Sequence, residues 1–297
     1  MRILLFGRNG QVGWELQRSL APLGELVALG SGNEAGLCGD FNDPAGVART
    51  VREVRPDAIV NAAAYTAVDK AESEPERART INALAPAAIA EAASQLGAAL
   101  VHYSTDYVFD GSGTRPWRED DSTGPLSVYG RTKLEGEQGI ARALPRHLVL
   151  RTSWVYAARG GNFAKTMLRL ARERDTLTVV DDLFGAPTGA ELLADATAHA
   201  LKGLLADASK AGIYHLAAGG ETNWHSYARF VVGKAQQAGE VLKAGPAQVM
   251  PVPSSAFKAA APRPHNSRLD TTRFRAAFGL MLPPWEQGVA RMLQETL

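Results

Sequence analysis

The stretch that decides the fold lies at the N-terminus, where the chain reads Ile3-Leu4-Leu5-Phe6-Gly7-Arg8-Asn9-Gly10-Gln11-Val12-Gly13. Its four apolar residues are typical of a buried parallel strand, and a helical pattern with Leu16 and Leu20 follows. In that context glycines let the backbone approach a pyrophosphate at the helix N-terminus. The spacing differs from the commoner G-x-G-x-x-G, and the alternative is a generic glycine-rich turn. The position favours a dinucleotide loop containing Gly7, Gly10 and Gly13.

Four further apolar runs have the length and composition of buried parallel strands. They are residues 26–29, 58–64, 99–103 and 148–152. Helical patterns separate them, as at residues 44–54, so we predict an α/β fold with a Rossmann-type, doubly wound parallel sheet. We assign residues 1–155 to an NAD(P)-binding domain. Residues 156–297 form mainly a smaller C-terminal α/β substrate domain, interleaved with the first.

Several features are predicted to lie at one edge of this sheet. In open parallel sheets, ligands bind outside the carboxyl ends of the strands. The small residues Ala63 and Ala64, which let a cofactor lie close to the backbone, and Thr105 all follow predicted strands, as the glycine loop does. We therefore expect them to border one crevice. Asp40 and Phe41 either flank the adenine there or form an ordinary acidic loop.

The segment after the second strand bears on the choice of cofactor. A site for NAD usually has Asp or Glu at the end of this strand, where the carboxylate binds the ribose hydroxyls. Here residues 30–33 follow Leu29, and the first carboxylate is Glu34. This arrangement tolerates a 2′-phosphate, with which Arg8 can pair. We predict that NADPH is accepted, with the preference between NADPH and NADH left open.

Tyr129 and Lys133 carry the predicted chemistry. Residues four apart share one face of a helix, so the phenol and the ammonium can meet over one small volume. A free tyrosine, with a pKa near ~10, is a poor acid at neutral pH. An ammonium at ~4 Å in a half-dry site supplies about 4 kcal/mol, enough to lower that pKa by ~2–3 units. Thr105 can hold the atom being protonated. The alternative is an ordinary exposed pair.

Three other features each have two interpretations. Trp154 offers a surface on which a base or sugar can stack, or it packs in the core. The loop at 263–269, with Arg263 and Asn266, either grips the diphosphate of a substrate or fixes an inter-domain loop. His102 lies inside an apolar run and is interpreted as a packed core histidine rather than a base.

Composition argues against several classes of function. The 297 residues hold 32 Lys and Arg against 31 Asp and Glu, so no bulk field attracts nucleic acid or a membrane. No run approaches the ~20 apolar residues of a membrane span. The single cysteine, Cys38, rules out an internal disulfide and suits a reducing compartment, so we expect a cytoplasmic protein.

Several segments together resemble a known family. They include Ser-Thr-Asp-Tyr-Val-Phe at 104–109, Val-Tyr-Gly-Arg-Thr-Lys at 128–133 and Gly-Ala-Pro-Thr at 185–188. The chain resembles the extended short-chain dehydrogenase/reductases and, within them, the dTDP-4-dehydrorhamnose reductases. The resemblance runs through nearly the whole chain and also rests on residues 4–7, 10–13, 61–72, 151–156 and 263–267.

The resemblance implies roles for the matching positions. Tyr129 would donate the proton, Lys133 would bind the cofactor ribose and modulate the pKa of the phenol, and Thr105 would tune the site. Substrate contacts would fall at Thr105, Asp106 and Trp154. The cofactor would contact Gly10, Gln11, Val12, Asp40, Phe41, Ala64, Tyr65 and Thr66.

The implied activity is the last step of dTDP-rhamnose synthesis. NADPH or NADH would reduce the C4 keto group of dTDP-4-dehydro-β-L-rhamnose, a dTDP-4-keto-6-deoxy sugar. The product, dTDP-L-rhamnose, is a precursor of surface polysaccharide such as the O antigen of lipopolysaccharide. Family members also form a homodimer with Mg²⁺ held by glutamates, which implies Glu191 and Glu295 as the metal ligands.

Two rival functions use the same scaffold. A nucleotide-sugar dehydratase or epimerase needs a second carboxylate beside the sugar, and in that branch Asp-Glu follows the threonine; here Asp106 and Tyr107 follow Thr105. Such an enzyme recycles its NAD, whereas a reductase consumes NAD(P)H. A non-catalytic regulatory subunit, like the one that partners methionine adenosyltransferase, has no use for Tyr129 and Lys133, and the absence of turnover would identify it.

Overall fold

The strands form one large parallel sheet and four two-stranded pairs in the computed structural model, which describes residues 1–297. In chain order the strands are β1 Arg2–Phe6, β2 Glu25–Leu29, β3 Asn33–Glu34, β4 Leu37–Cys38, β5 Ala58–Asn61, β6 Ala99–Thr105, β7 His147–Thr152, β8 Val155–Tyr156, β9 Leu177–Val180, β10 Phe184–Gly185, β11 Thr188–Gly189, β12 Gly212–His215, β13 Thr222–Asn223 and β14 Val249–Val252.

Eleven α-helices connect or follow these strands. They are α1 Gln11–Leu20, α2 Pro44–Val54, α3 Val68–Ala71, α4 Pro75–Arg79, α5 Ala85–Leu96, α6 Val128–Ala143, α7 Phe163–Glu173, α8 Ala190–Ala206, α9 Trp224–Gln237, α10 Thr272–Phe278 and α11 Trp285–Thr296. None of them combines the length and the apolar character that crossing a bilayer requires.

The strand order β12-β7-β6-β5-β1-β2 fixes where a ligand can bind. All five neighbouring pairs run parallel. The chain first moves outward from β1 to β2 and then returns to β5 on the other side of β1. The loops after β1 and β5 therefore diverge and leave a crevice between them, which is the topological switch point of such sheets. The predicted doubly wound sheet is confirmed.

Helices cover both faces of the sheet because each strand is apolar on both sides. One face packs Leu16 and Leu20 of α1 and Leu193 of α8 against Ile3 and Leu5. The other face packs helices α2, α5 and α6 against Leu4, Phe6 and Ile59. This double burial accounts for the near-continuous apolar runs in the sequence.

The C-terminal part of the chain has a core of its own and also contributes to the core around the large sheet. Tyr227 of α9 and Trp285 of α11 lie at the centre of the second core, which α7 also joins. However, β12 pairs with β7 in the large sheet, and α8 packs against α1. Residues beyond 156 therefore contribute a strand and a helix to the first core and also form the second core.

Most predicted elements have the expected limits, and the main differences have local causes. The helix at 44–54 begins and ends as predicted. The segment between β5 and β6 forms α3, α4, a π-helical segment at 80–84 and α5 rather than one continuous α-helix. Helix α6 begins at Val128, because Ser127 caps it by accepting a hydrogen bond from the Gly130 N–H at 3.2 Å.

The close approach of α6 to the segment at 80–84 depends on Gly136. A Cβ at this position would lie 2.1 Å from the carbonyl oxygen of Asn82. We expect Gly136→Ala to lower the free energy of unfolding by about 1–3 kcal/mol, because backbone on both sides must move. The matched control is Gly233→Ala in α9, where a Cβ would lie 3.4 Å from Pro246 Cγ. Urea unfolding should show the control unchanged or stabilised by up to about 1 kcal/mol, and equal effects of the two would contradict this account.

Candidate active site

The crevice beside β1 brings together most of the predicted cofactor residues. Gly7 contributes from the loop after β1, Asp40 and Phe41 from the loop after β4, and Ala63 to Thr66 from the loop after β5. These residues share the walls of the crevice with Gly30, Ser31, Gly39, Asn42, Ala67, Arg77 and Ile81. The loops after β1 and β5 converge because these two strands are neighbours and end at the same edge of the sheet. The loop after β4, which belongs to the separate β3–β4 hairpin, completes the crevice.

The glycine loop is shaped by backbone contacts that leave no room for side chains. Gly7 has φ of +86°, and a Cβ there would lie 2.7 Å from the backbone of Ala62 and Ala63. A Cβ at Gly13 would lie 2.0 Å from the Gly7 carbonyl oxygen. No side chain caps α1 after Gly10, so the first N–H groups of the helix, including those of Gln11 and Val12, are open to an anion.

Arg8 is already paired with the carboxylate that the sequence places five residues beyond the end of β2. Its Nη2 lies 2.8 Å from Glu34 Oε2, and its Nη1 donates to the Ala28 carbonyl oxygen at 2.9 Å. The other oxygen of Glu34 accepts a hydrogen bond from the Gly30 N–H at 3.3 Å. Residues 30–33 contain no carboxylate, but the β3–β4 hairpin folds Glu34 back beside the end of β2.

Tyr129 lies in the first turn of α6 and reaches Thr105 at the end of β6. The Thr105 hydroxyl lies close enough to the phenol to oppose a rise in its pKa, and Thr105 donates to Asp106 Oδ1 at 3.0 Å. The ring packs against a small cluster that includes Tyr65, which also lines the crevice. The proton-donor candidate therefore stands beside the crevice that the glycine loop opens.

The electrostatic environment of Tyr129 differs from the expectation. Burial raises the pKa of Tyr129 to about 12, opposed by the hydrogen bond with Thr105 and increased by the charge of Asp106. Burial also lowers the pKa of Lys133 to about 8, although the charge of Glu137 raises it. The prediction that Lys133 makes this phenol unusually acidic is wrong for the protein without ligands. Tyr129 holds its proton firmly.

Two residues of strand β6 contact the side-chain nitrogen of Lys133. Its Nζ lies 2.6 Å from the Tyr103 carbonyl oxygen and 3.1 Å from His102 Nε2. One helical turn further on, Glu137 binds Arg151 of β7 at 2.7 Å, and both side chains are buried. Tyr129, Lys133 and Glu137 thus form one stripe of α6 that faces the strand ends.

Asp106 is buried and carries a raised pKa. Burial raises it to about 6, and hydrogen bonds with Ser267 and Thr105 oppose that shift. Its Oδ2 has no hydrogen-bond partner in the protein. A buried carboxylate oxygen beside Thr105 that the protein leaves unpaired is available to a ligand hydroxyl.

Trp154 follows β7 in a conformation that few residues adopt. Its φ is +50°, and its indole stacks on Trp224 with ring centroids 3.8 Å apart. Strain of this kind persists only where the surroundings hold the residue in place. The two tryptophans form a half-buried aromatic wall, so Trp154 packs on a neighbouring ring while part of its surface remains exposed.

The loop at 263–267 makes contacts within the protein. Arg263 forms a two-fold hydrogen-bonded ion pair with Asp69, at 2.7 and 3.1 Å. Asn266 is buried, and its Nδ2 donates to the carbonyl oxygens of Ser112 and Arg115. These contacts support the interpretation of a loop that ties the two parts of the chain together.

The glutamates predicted as metal ligands lie together around an arginine. Arg291 Nε is 3.6 Å from Glu191 Oε2 and 3.4 Å from Glu295 Oε1. No group of three or more potential metal-ligating side chains is assembled in the chain. Mg²⁺ requires near-octahedral oxygen ligands, so the two carboxylates of one chain, already paired with a guanidinium, do not by themselves fit the ion.

Four participants were not identified from the sequence. Asn61 ends β5 in an apolar run, and His102 was assigned only to packing, although both lie under Lys133. Trp224 carries no local pattern that points to Trp154. Only Glu137 had a signal, since it continues the four-residue spacing from Tyr129 and Lys133.

Comparison with known proteins agrees with this geometry. The model of the RmlD substrate binding domain family matches residues 1–297. The chain is 60% identical to the dTDP-4-dehydrorhamnose reductase of Salmonella typhimurium over 295 residues, which cover 99% of this chain and 98% of that protein. It is 44% identical to the enzyme of the same name from Burkholderia thailandensis, over 100% of this chain and 99% of that one.

Solved structures give the same result. The crystal structure of dTDP-4-dehydrorhamnose reductase from Bacillus anthracis in complex with NADP superimposes with a TM-score of 0.87 at 34% identity, covering 99% of each chain. A fold match at this identity and coverage extends through both parts of the chain. The chain belongs to the RmlD family of dTDP-4-dehydrorhamnose reductases.

Proposed function

We propose that this protein reduces the C4 keto group of dTDP-4-dehydro-β-L-rhamnose to give dTDP-L-rhamnose in the cytoplasm, with NADPH or NADH as the reductant. The observation that carries the proposal is the half-buried Tyr129 phenol, which stands next to the Thr105 hydroxyl beside the crevice. The relatives that share the whole length of the chain bear the name of this activity.

The residues act by holding and moving one proton. The nicotinamide, when bound, supplies a hydride to the carbonyl carbon. Tyr129 donates its proton to the carbonyl oxygen, which becomes more basic than a phenolate as it gains charge. Its raised pKa keeps the phenol protonated at neutral pH until that moment. Thr105 holds the phenol oxygen, and the unpaired Oδ2 of Asp106 can accept a sugar hydroxyl.

Tyr129→Phe tests the proton donor. We expect the rate of NADPH consumption with the dTDP-4-keto-6-deoxy sugar to fall by about 10²–10⁴-fold, because general acid catalysis contributes that much. Cofactor binding, measured by fluorescence titration, should remain, since the ring still fills its place. The control is Tyr214→Phe, which removes only a remote hydrogen bond to the Lys210 carbonyl oxygen. A Tyr129→Phe variant with full activity would reject the mechanism.

The choice of cofactor is proposed to depend on the Arg8–Glu34 pair. Glu34 at the end of β2 can accept the ribose hydroxyls of NADH. A 2′-phosphate can replace Glu34 as the partner of Arg8, because the phosphate carries more negative charge than the carboxylate and binds the guanidinium more strongly. The pair is about one-third exposed, so breaking it costs little. Both cofactors are therefore accommodated by one pair of side chains.

Substitutions on either side of the pair should act in opposite directions. Arg8→Ala should raise the KM for NADPH by about tenfold, the loss of one charge-assisted contact, and leave the KM for NADH nearly unchanged. Glu34→Gln should lower the KM for NADPH and raise that for NADH. Steady-state kinetics with each cofactor measure these values. Strong exclusion of NADPH by the wild-type protein would overturn the assignment of Arg8.

Asp106 is proposed to serve substrate binding at a cost in stability. Its pKa rises from 3.8 to about 6 on folding, so the folded state binds the proton more tightly than the unfolded state. Stability then falls as pH rises from about 4 to about 6, by up to about 3 kcal/mol. Asp106→Asn should unfold at a higher Tm than wild type at pH 7, with no difference near pH 4, and should lose turnover. A Tm difference independent of pH would contradict this.

Magnesium and the homodimer belong to the same proposal. One chain offers Glu191 and Glu295, and burial together with the charges of Glu295 and Glu15 raises the pKa of Glu191. A second copy would have to supply the remaining oxygen ligands. Size-exclusion chromatography before and after treatment with EDTA, with the NADPH assay run on each fraction, decides whether the cation links two chains and whether turnover needs it.

A further inference from the structure

A continuous chain of hydrogen bonds runs from the wall of the crevice to Lys133. The Ala63 N–H donates to Asn61 Oδ1 at 2.9 Å, and Ala63 lines the crevice. Asn61 Nδ2 lies 2.9 Å from His102 Nδ1, and His102 Nε2 lies 3.1 Å from Lys133 Nζ. Asn61 and His102 are both fully buried, so water cannot substitute for any of these contacts.

The direction of this chain is fixed at its backbone end. An N–H group can only donate, so Asn61 must turn its oxygen towards Ala63 and its NH₂ towards His102. His102 Nδ1 is then an acceptor. Burial lowers the pKa of His102 well below its ordinary value, so the ring is neutral. A neutral imidazole carries one proton, and here that proton must be on Nε2, facing Lys133.

A proton on Nε2 constrains the charge of Lys133. An ammonium has three donors and no lone pair, so it opposes an N–H group that points at it. A neutral amine accepts from His102 Nε2 and still donates to the Tyr103 carbonyl oxygen at 2.6 Å. The contact with His102 favours the amine and therefore lowers the pKa of Lys133 further than burial alone does. The nearest opposing charge is Glu137 on α6, which Arg151 of β7 already neutralises at 2.7 Å. Tyr129, one turn earlier on α6, holds its proton.

We propose that Asn61 and His102 are positioning residues that set the proton count of Lys133. In the resting protein they hold Lys133 as an amine that accepts from His102 Nε2. To carry a charge, Lys133 needs Nε2 as an acceptor, and this breaks the contacts that Asn61 makes with His102 or with Ala63. The charge of the lysine is thereby coupled to the backbone that lines the crevice. The activity measurement below rests on the proposed function, whereas the tautomer measurement does not.

The wild-type protein provides the first test. Long-range ¹H–¹⁵N spectra of the full chain, labelled at histidine, report which ring nitrogen carries the proton. We expect His102 to be protonated on Nε2 at pH 7, with signals that disappear in His102→Gln. His147 serves as an internal reference with the other tautomer. Its Nδ1 lies 2.6 Å from the Leu144 carbonyl oxygen and must therefore carry the proton that it donates. A His102 protonated on Nδ1, or on both nitrogens, overturns the proposal.

Asn61→Asp provides the second test, because it replaces the amide NH₂ by an oxygen of the same size. The carboxylate still accepts from Ala63 but now also accepts from His102 Nδ1, which reverses the chain and lets Nε2 accept from an ammonium. We expect the His102 tautomer to switch. The pH above which kcat declines should rise by about one unit, because Lys133 keeps its proton up to a higher pH. At a fixed alkaline pH, kcat of the variant should therefore be up to about tenfold higher than kcat of the wild-type protein.

Two comparisons keep the second test specific. The KM for NADPH should change less than about threefold, since one unit of pKa at Lys133 need not alter binding of the cofactor phosphates. His147→Gln, a buried histidine on the neighbouring strand, should leave the pH profile unchanged. A folded Asn61→Asp protein with the wild-type tautomer and pH profile overturns the proposal. If Asn61→Asp does not fold, the wild-type tautomer alone decides. A normal tautomer switch without turnover in any variant would reject the proposed function instead.

Discussion

The close contact between helix α6 and the strand ends is the constraint on which the site depends. It buries Lys133 and Glu137 together, with 2% and 1% of their surfaces exposed. Two ionisable side chains in that position are tolerable only if each has partners. Glu137 has Arg151, and Lys133 has the Tyr103 carbonyl oxygen and His102. The site is thus assembled from one helix and the three strands beneath it.

Glycines make this contact possible. At Gly130, a Cβ would lie 2.2 Å from the Tyr107 carbonyl oxygen, and at Gly136 the distance to the Asn82 carbonyl oxygen would be 2.1 Å. Glycine inside a helix costs about 0.5–1 kcal/mol relative to alanine. In return, the close approach that Gly130 permits places its neighbour Tyr129 beside Thr105. These glycines lower the helix propensity of α6 but allow the position that Tyr129 needs as the proposed proton donor.

The site also leaves polar atoms without partners in the protein. Ser104 Oγ, Thr152 Oγ1 and Asp106 Oδ2 are all buried in this way near the ends of β6 and β7. Such atoms cost free energy in the folded protein, and they mark places where a polar ligand can complete the hydrogen bonding. The positive φ of Trp154 has the same character, since it holds an indole against Trp224 at the expense of backbone strain. The features that reduce stability are concentrated where the substrate is proposed to bind.

The sequence alone determined the doubly wound sheet, because apolar strands, a glycine turn and amphipathic helices follow from local composition and period. It also determined that Thr105 and the crevice loops converge, because parallel strands end at the same edge. Only the tertiary structure decided the electrostatics. The hairpin that returns Glu34 to Arg8, the burial that raises the pKa of Tyr129, and the packing of His102 and Asn61 beneath Lys133 all depend on contacts between distant residues. Charge and proton position are set by what surrounds a group in space, and a one-dimensional pattern does not contain those distances.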